Sequence, residues 1–454
     1  MRRTGLLVVA SALVLGACTA GSLDEESLAR STAEMARMDV TTGDASIDPA
    51  RREAVSATDG YRAALRAAVL RSDTVRASVR VLREREAEID MARSALRPQV
   101  TASATAGGIR ERTVGARLGG ATDISVSRLV FDGGASAAGI DAGTARAFAA
   151  RAQVLARSNA IGEEAARAWV DVWQFSRRLD LLNERVAEVE RVVGTLEQLI
   201  ASGFIDRASL SAAERQVLDI RMEEEQLVSS LQGARVRFAR LMGYTPARLD
   251  GPQRLLVQGE PEGLRALWRD APEVTSAAAL LIATERDLEA AQARRRPTVS
   301  VRGGVSSPLS ETDNPNVNVG LVLSHDFGGG GRRAAEISAL EERVAASRLD
   351  FEEGKRTAEQ DLEAALARYR AVQRGRARLN EQVEVIESEN STLRSQLSSG
   401  QASLGQVVEG EVRLYRARSR QIEMSAEMAL IEVGMVALTG QLAARLGIDL
   451  DSLL

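Results

Sequence analysis

The sequence is poor in the side chains on which most enzyme and metal sites depend. Aromatic residues make up 3% of the chain, and there is one cysteine, Cys18, and one histidine, His325. The single cysteine excludes an intramolecular disulfide framework, and the single histidine argues against a histidine-based metal site or a serine–histidine triad. We therefore expect no catalytic residues, no metal site and no cofactor.

An excess of charge of one sign is also missing, because 59 lysine and arginine residues nearly balance 63 aspartate and glutamate residues. The net charge of −4 leaves no basic footprint for nucleic acid, so nucleic acid is not an expected partner. Hydrophobic residues make up 44% of the chain, and alanine, leucine, arginine and glutamate dominate. This composition predicts long helices or coiled coils.

Long apolar runs are absent except at the N-terminus. Arg2 and Arg3 precede an apolar run from Leu6 to Leu15, which is followed by small residues. This is the pattern of a secretory signal peptide, here over residues 1–17. No later run reaches the roughly 18 apolar residues that a membrane-spanning helix needs. Any membrane crossing by the mature chain must therefore use β-strands.

The signal sequence ends in Leu15-Gly16-Ala17-Cys18, which resembles a bacterial lipobox. In such signals the cysteine is lipidated and becomes the first mature residue. We therefore expect a lipid on Cys18 and a lipidated N-terminal segment over residues 18–55. Thr19 follows the cysteine instead of an aspartate, which favours the outer membrane over inner-membrane retention. The alternative is an ordinary signal peptide with an incidental cysteine.

The rest of the chain is a tandem repeat, which should be sought before local detail. Landmarks recur in one order, 195 to 199 residues apart: Pro98 and Pro297, Gly133-Gly134 and Gly328-Gly329, Gly203 and Gly400, Glu214 and Glu411, Arg221 and Arg418, Gly243 and Gly440. We predict a first copy over 56–245, a joining segment over 246–271, a second copy over 272–440 and a tail over 441–454. Each copy has the order helix, strand, loop, strand, long helix, glycine turn, helix.

Four segments show the period-two alternation of β-strands, at about 98–107, 121–131, 298–306 and 316–325. Valine, isoleucine, leucine and alanine occupy one face, and Arg128 interrupts it. Each segment has the length that a tilted strand needs to cross a bilayer. The edge strands of a soluble sheet would alternate equally well. The signal peptide and the repeat favour the membrane over this alternative.

Four long helices are predicted at 134–201, 206–242, 331–398 and 403–440. The first would be about 100 Å long at 1.5 Å per residue. Apolar residues recur at spacings of three and four, which predicts coiled-coil packing side by side. Gly203 and Gly400 would supply the turns of two helical hairpins. The second hairpin is the more polar, since Asn390, Glu411 and Arg418 occupy seam positions.

The number of strands limits the architecture. Four strands make a small sheet with two open edges, and open edges are not viable in lipid. Several chains must then close one barrel, and three chains give twelve strands. Symmetric closure also suits a ring of long helices.

These residues resemble TolC-like outer-membrane efflux proteins over about 56–440. The resemblance depends on the doubled unit, on the strand starts "RPQV" and "RRPTV", and on the strand ends "LVFDGG" and "HDFGGG". The "SG" hairpin tips and the copy ends "LMG" and "LTG" add to it. It implies a mainly α fold with membrane β: a homotrimer with a twelve-stranded outer-membrane barrel, four strands per chain, continued by a long periplasmic α-helical barrel.

The same resemblance implies the partners and the site. A periplasmic adaptor, or membrane fusion protein, would contact the hairpin tips and link the duct to an inner-membrane transporter. The tip residues that match are Gly203, Gly400, Ser209, Leu210 and Val407. Family members often carry acidic gate residues shortly after the second glycine, and the matching positions are Gln406 and Glu409. Gln406 departs from the acidic pattern. The alternative role of Glu409 is that of an exposed helical glutamate.

The resulting functional prediction is an export duct. It is anchored by lipid in the outer membrane, has a large periplasmic part, and passively conducts substrates for a tripartite efflux or type I secretion system. The alternative is a non-conducting periplasmic coiled-coil adaptor or structural lipoprotein. An adaptor should show one helical hairpin interrupting β-rich domains, whereas this chain has two hairpins and bilayer-length strands.

Overall fold

The computed structural model describes residues 60–448, apart from 112–114, 202–206, 247, 257–259, 309–314, 328–329 and 400. The predicted signal peptide, the lipidated segment with Cys18 and the two hairpin turns at Gly203 and Gly400 lie outside the described residues. In the part that is described, no helix has the length and apolarity needed to cross a membrane.

The chain is mainly helical and has one small sheet. In order, its elements are α1 (Tyr61–Arg71), α2 (Asp73–Ser94), β1 (Gln99–Glu111), β2 (Gly115–Phe131), α3 (Ala135–Ala201), α4 (Arg207–Met242), α5 (Glu260–Gly263), a 3-10 helix (Leu264–Asp270), α6 (Pro272–Ala293), β3 (Thr298–Pro308), β4 (Asn316–Ser324), α7 (Arg332–Ser398), α8 (Leu404–Leu438) and α9 (Leu442–Arg445). The segment over 246–271, predicted as a linker or equatorial segment, contains two short helices among its described residues.

The repeat is visible in the lengths of the helices. The two long helices α3 and α7 each have 67 residues, and α2 and α6 each have 22. One ion pair also recurs between the helices of each hairpin. Arg221 lies 3.8 Å from Glu190 in the first copy, and Arg418 lies 2.8 Å from Glu387 in the second. Both residues of the pair are 197 positions apart between the copies, so the copies share one backbone plan.

Glycine pairs mark the passage from strand to long helix in both copies. Gly133 and Gly134 have φ angles of 70° and 96°, and Gly330 and Gly331 have 58° and 84°. Such positive values favour glycine. The sequence assignment of Gly328-Gly329 as the equivalent pair was therefore wrong, since Gly330-Gly331 precedes α7 at the same 197-residue offset. Residues 328–331 are all glycine, so the sequence alone did not show which two of them match Gly133-Gly134.

The sheet is antiparallel with the order β1-β2-β3-β4. β1 and β2 extend further toward their connecting loop than predicted, because glycines assigned to the loop still pair, as in Gly107 with Gly119. β3 ends at Pro308, two residues later than predicted, and β4 ends at Ser324, one residue earlier. The backbone ladder needs only N–H and C=O groups, so pairing continued where the side-chain alternation had stopped.

One face of the sheet is apolar and exposed in the single chain. Val319 is 80% exposed and Leu321 is 74% exposed, and Val100, Ile124 and Val130 show the same behaviour. The two outer strands, β1 and β4, also have unpaired edges. Exposed valine and leucine in this number mark a surface that something apolar covers.

The main core lies midway along the helices and includes both copies. α3 packs against α2, α4, α6 and α8, and α7 packs against α6 and α8. Trp169 is buried next to Tyr61, with ring centroids 5.6 Å apart, and its Nε1 donates to the Asp250 carbonyl at 3.0 Å. Leu264 from the joining segment and Leu442 from the C-terminal region enter the same cluster. Trp169 is thus a packing residue.

Candidate gate at the tips of the helical hairpins

The second hairpin tip is held by a capping box. α7 ends at Ser398 and α8 begins at Leu404, with Ser403 as its N-cap. The Gln406 backbone N–H donates to Ser403 Oγ at 3.3 Å, and the Ser403 N–H donates to Gln406 Oε1 at 2.7 Å. This arrangement satisfies two backbone donors at the start of a helix. Gln406 is therefore exposed but engaged in its own helix cap.

The other predicted tip residues are Val407, Ser209 and Leu210, and the side-chain environment is described only for Val407. Val407 is only 6% exposed, so its side chain faces the inside of the chain. Its role in adaptor contact stays a prediction, and in the single chain the first turn of α8 directs this position inward. Ser209 and Leu210 lie in the first turn of α4, and their side chains lie outside the description.

Two glutamates near the tip have different surroundings. Glu409 is exposed, and among the described residues no basic side chain pairs with it. Glu411 has a side chain that is only 12% exposed, and it lies 2.7 Å from Arg394 Nη2 and 3.5 Å from Arg185 Nη1. Arg185 also donates to the Val408 carbonyl at 3.1 Å. We call Glu411, Arg394 and Arg185 the Glu411 cluster.

The Glu411 cluster was missed by sequence reasoning, which placed only Glu411 on the seam. Arg185 is 5% exposed and comes from α3, in the first copy, so the pair spans 226 residues of sequence. A buried carboxylate needs a cationic or hydrogen-bonding partner. That requirement predicts a partner for Glu411, but it does not identify the helix that supplies it.

A buried asparagine lies beside this cluster. Asn390 of α7 is 4% exposed, and neither its Oδ1 nor its Nδ2 has a hydrogen-bond partner. It packs against Gly410 of α8, where an added Cβ would lie 2.3 Å from Asn390 Oδ1. A buried amide without partners destabilises the packing around it. The seam of the second hairpin is therefore locally weak next to its tip.

Further polar contacts join α8 to the first copy. Tyr415 Oη donates to Glu223 Oε1 at 2.6 Å, and Arg178 Nε donates to Ser419 Oγ at 2.9 Å. Arg178 also lies 3.0 Å from Glu423. Burial raises the pKa of Tyr415, and the hydrogen bond to the Glu223 carboxylate raises it further. Tyr415 is therefore a neutral donor at physiological pH.

The contacts of α8 near the hairpin tip are both polar and apolar. Near the tip, α7 and α8 share a small apolar cluster of Val383, Ile386 and Ala417 with Leu414 packed against it. The contacts from α8 to α3 and α4 in this region include the ion pairs and hydrogen bonds above, and Tyr415 also packs in one apolar cluster with Leu182, Ile220 and Leu227. Directed polar contacts and a few buried side chains, Val407 and Tyr415 among them, therefore hold this part of α8.

No group of three or more metal-ligating side chains occurs among the residues that the structure describes. The sole histidine, His325, lies after β4, with its ring 4.4 Å from that of Phe327. It is far in sequence from the hairpin tips and contributes nothing to them.

Comparisons with known proteins agree with this architecture. The sequence pattern of the outer membrane efflux protein family matches residues 64–244 and again 265–441, once in each copy. BepC, an outer membrane efflux protein of Brucella suis biovar 1, is 19% identical over 376 residues, which cover 81% of this chain and 82% of BepC.

Solved structures show the same fold. The CusC structure, whose description concerns transmembrane channel formation, superposes with a TM-score of 0.74 at 16% identity, covering 86% of this chain and 93% of CusC. The outer membrane protein VceC of Vibrio cholerae gives a TM-score of 0.74 at 16% identity, covering 83% of this chain and 95% of VceC. Identities this low support the fold and leave individual residue roles open.

Proposed function

The chain belongs to the outer membrane efflux protein family, and on that premise we propose that three copies close one export duct. The family establishes a transport protein of the outer membrane and not an enzyme. The trimer, the partners and the gate described below are our proposal. The observation that carries it is the four-stranded sheet with two open edges and an exposed apolar face, attached to helices about 100 Å long.

The open edges support closure by further copies. β1 and β4 each have one edge with unpaired backbone groups, and their apolar side chains are exposed in the single chain. In lipid each unpaired backbone group is costly, so β4 of one copy must pair with β1 of the next. Four strands per copy and three copies give the twelve-stranded barrel that the fold implies.

The helices carry surfaces that suit the same assembly. Leu218, Met222 and Val236 of α4 are each more than 60% exposed and lie along one helix. In α7 the first buried residue is Leu362, so its first thirty residues, which contact α6, are only partly covered within the chain. Long helices with uncovered apolar positions are stable only when neighbouring helices cover them. Contacts between copies would provide this cover.

The partners follow from the two ends of the molecule. The duct conducts passively, so an inner-membrane transporter must supply energy. A periplasmic adaptor would join that transporter to the hairpin tips, and we propose that it contacts Ser209, Leu210 and the segments around Gly203 and Gly400. The lipid on Cys18 would hold the N-terminus at the membrane. Tripartite efflux and type I secretion both fit this arrangement.

The gate would consist of Glu409 and the Glu411 cluster. Glu409 from three copies would place three carboxylates around one axis, which attracts cations and repels anions. The Glu411 cluster would hold the start of α8 against α3 and so keep the mouth narrow. Opening would then require these ion pairs to separate.

Single-channel conductance in planar bilayers tests the duct and the gate. We expect small cation-selective steps from the purified trimer, with weaker selectivity in Glu409→Ala because the carboxylate ring is lost. Glu427→Ala is the matched control, since Glu427 is a partly exposed α8 glutamate paired with Arg368 away from the tip. Cross-linking between cysteines introduced in β1 and β4 tests the trimer.

The outcomes separate the parts of the proposal. Steps of unchanged size and selectivity in Glu409→Ala would remove Glu409 from the gate and keep the duct. Absence of conductance from a membrane-inserted trimer, including the Glu411→Ala variant, would favour the structural lipoprotein over the duct. A monomer after cross-linking would contradict the closure of the sheet by copies.

A further inference from the structure

One arginine lies on the apolar face of the sheet, where the alternation of the strands places only small and apolar side chains nearby. Arg128 of β2 is exposed on the same face as Val126 and Val130 and stands opposite Val301 of β3. No carboxylate or other hydrogen-bond partner faces it among the described residues, although most helical arginines of this chain have such partners. Its charge is therefore left to a partner beyond the described residues.

The position of Arg128 excludes another copy of the chain as that partner. β2 lies between β1 and β3, so both of its neighbouring strands come from the same chain. Only β1 and β4 have edges that a second copy can pair. Whatever covers the outer face of β2 is thus the medium around the sheet, which the proposed function makes lipid.

The depth of Arg128 suits a headgroup. It lies three residues before Phe131, the last residue of β2, and this corresponds to about 10 Å along the strand at 3.3 Å per residue. A long arginine side chain can extend from this depth to the membrane surface with its stem in the apolar layer. Phe131 is itself half exposed, as is common for aromatic side chains at a membrane boundary.

The charge around the end of the strand completes the site. Arg97, just before β1, and Arg295, just before β3, are both exposed at the end of the sheet that joins the helices, and neither side chain has a partner in the described part of the chain. Asp132, the nearest acid along β2, already accepts hydrogen bonds from Gly134 and Ser136 at the start of α3. The free charge at this boundary is therefore positive.

We propose that Arg128 binds the phosphate of a membrane phospholipid in the leaflet next to the helices, with Phe131 at the headgroup boundary and the acyl chains along the valines of β2 and β3. The guanidinium has the planar donor geometry that phosphate oxygens match. This inference rests on the proposed function, because it requires the sheet to span the outer membrane. Each chain supplies one such site.

The test measures lipid retained by the full-length trimer. The protein in detergent micelles is titrated with palmitoyl-oleoyl-phosphatidylglycerol and examined by native mass spectrometry, with Arg128→Gln, Arg128→Lys and Arg302→Gln alongside. Arg302 is the matched control, since it is exposed on β3 but stands opposite Ser127 and so points to the other face. Diacylglycerol, which has the same chains without phosphate, and inorganic phosphate complete the set.

We expect one phosphatidylglycerol per chain in the wild type, bound about tenfold more weakly in Arg128→Gln, as for loss of one charge-assisted contact. Arg128→Lys should retain most of the binding because it keeps a cation, and Arg302→Gln should be unchanged. Diacylglycerol should not replace the phospholipid, and inorganic phosphate should not compete with it.

Several results would overturn the site. These are equal binding by Arg128→Gln and wild type, an equal loss in Arg302→Gln, and equal binding of diacylglycerol. Vesicle flotation and conductance of the same samples distinguish this failure from failure of the proposed function. A protein that floats, conducts and binds lipid independently of Arg128 refutes only the lipid site, whereas one that does not enter vesicles refutes the duct as well.

Discussion

The two helical hairpins share one plan but differ in how their helices are joined. In the first, α3 and α4 pack through Leu182, Ile220 and Leu227, which form a buried apolar cluster. In the second, Val383, Ile386 and Ala417 form a smaller apolar cluster, and Asn390 and Glu411 lie closer to the tip on the same seam. The lengths and the recurrent Glu–Arg pair are the same in both copies. At the matching positions the first copy has Val193 and Glu214, so the difference in residue type near the tip lies at Asn390.

This difference indicates a division of work between the copies. An apolar seam is stabilised by area removed from water and resists opening. A seam with a buried amide and a shared carboxylate depends on a few directed contacts, and these are lost abruptly when the geometry changes. The first hairpin thus suits a fixed wall, and the second suits the moving part of the proposed gate.

Of the variants considered, removal of the Glu411 carboxylate should increase the difference in stability between the two hairpins the most. Glu411→Ala takes away the acceptor that Arg394 and Arg185 contact, and loss of one member of a buried ion pair costs about 3 kcal/mol. We expect hydrogen exchange in the first turns of α8 to accelerate by roughly a hundredfold, with little change in α4.

The control for this variant is Glu387→Ala, which removes the exposed ion pair with Arg418 in the same hairpin. Exposed pairs contribute about 0–1 kcal/mol, so its exchange should change little. Equal acceleration in the two variants would contradict the special role of the Glu411 cluster.

Making the second seam apolar should reduce the contrast between the hairpins. Asn390→Leu replaces an amide without hydrogen-bond partners by an apolar group of similar shape, and we expect stabilisation of about 2 kcal/mol. Hydrogen exchange in α7 near residue 390 should slow, and conductance steps should become rarer. Asn380→Leu is the control, because Asn380 is exposed and accepts from Gln421 at 2.9 Å. No slowing in Asn390→Leu would mean that the seam is not the weak point.

A methyl group at the close contact between the helices should have a smaller effect. Gly410→Ala places a Cβ 2.3 Å from Asn390 Oδ1, and the resulting overpacking should exceed the gain in helix propensity by about 1 kcal/mol. Gly434→Ala in the same helix meets no atom within 4 Å and should stabilise the protein. Thermal unfolding of both variants measures whether their stabilities change in opposite directions. The same sign of change in the two variants would contradict it.

The strand-to-helix junctions offer a second, weaker contrast. In the first copy Asp132 accepts from the Gly134 N–H at 3.0 Å and from the Ser136 N–H at 2.6 Å, whereas the equivalent position in the second copy is Gly329. Asp132→Ala should therefore cost about 0.5–1 kcal/mol, as for loss of a helix N-cap, and Ser136→Ala, which keeps the backbone donor, should cost less. Urea denaturation of the variants provides the measurement.

The same contrast depends on pH. Burial favours the protonated form of Asp132, but the hydrogen bonds from Ser136 and Gly134 outweigh it and lower its pKa below 3.8. A lowered pKa means that the stabilisation is present above the unfolded value and is lost as pH falls through the folded one. The difference between wild type and Asp132→Ala should thus disappear in strong acid. A difference that stays constant there would contradict the carboxylate cap.

Much of the fold could be predicted from the sequence. The spacing of three and four in the helices and of two in the strands depends on the geometry of one chain segment, and the recurrence of glycines revealed the doubled unit. The resemblance to outer-membrane efflux proteins is confirmed by the family match. The errors arose where several residues were equivalent by sequence, as in the glycine run before α7 and the glycine-rich strand ends.

The site was harder to predict. Gln406 and Val407 were assigned to the gate and to the adaptor surface from their distance to Gly400, but one caps its helix and the other is buried. Both outcomes follow from the direction of the first turn of α8, which a count of residues does not contain.

The sequence by itself determined the order of the repeated elements and the lengths of the long helices, because local periodicity and glycine positions act within a few residues. Only the tertiary structure decided that Arg185 of the first copy meets Glu411 of the second, and that no described carboxylate pairs with Arg128. Ion pairs between distant segments depend on which helices become neighbours. Which helices become neighbours depends on the packing of apolar side chains from all parts of the chain.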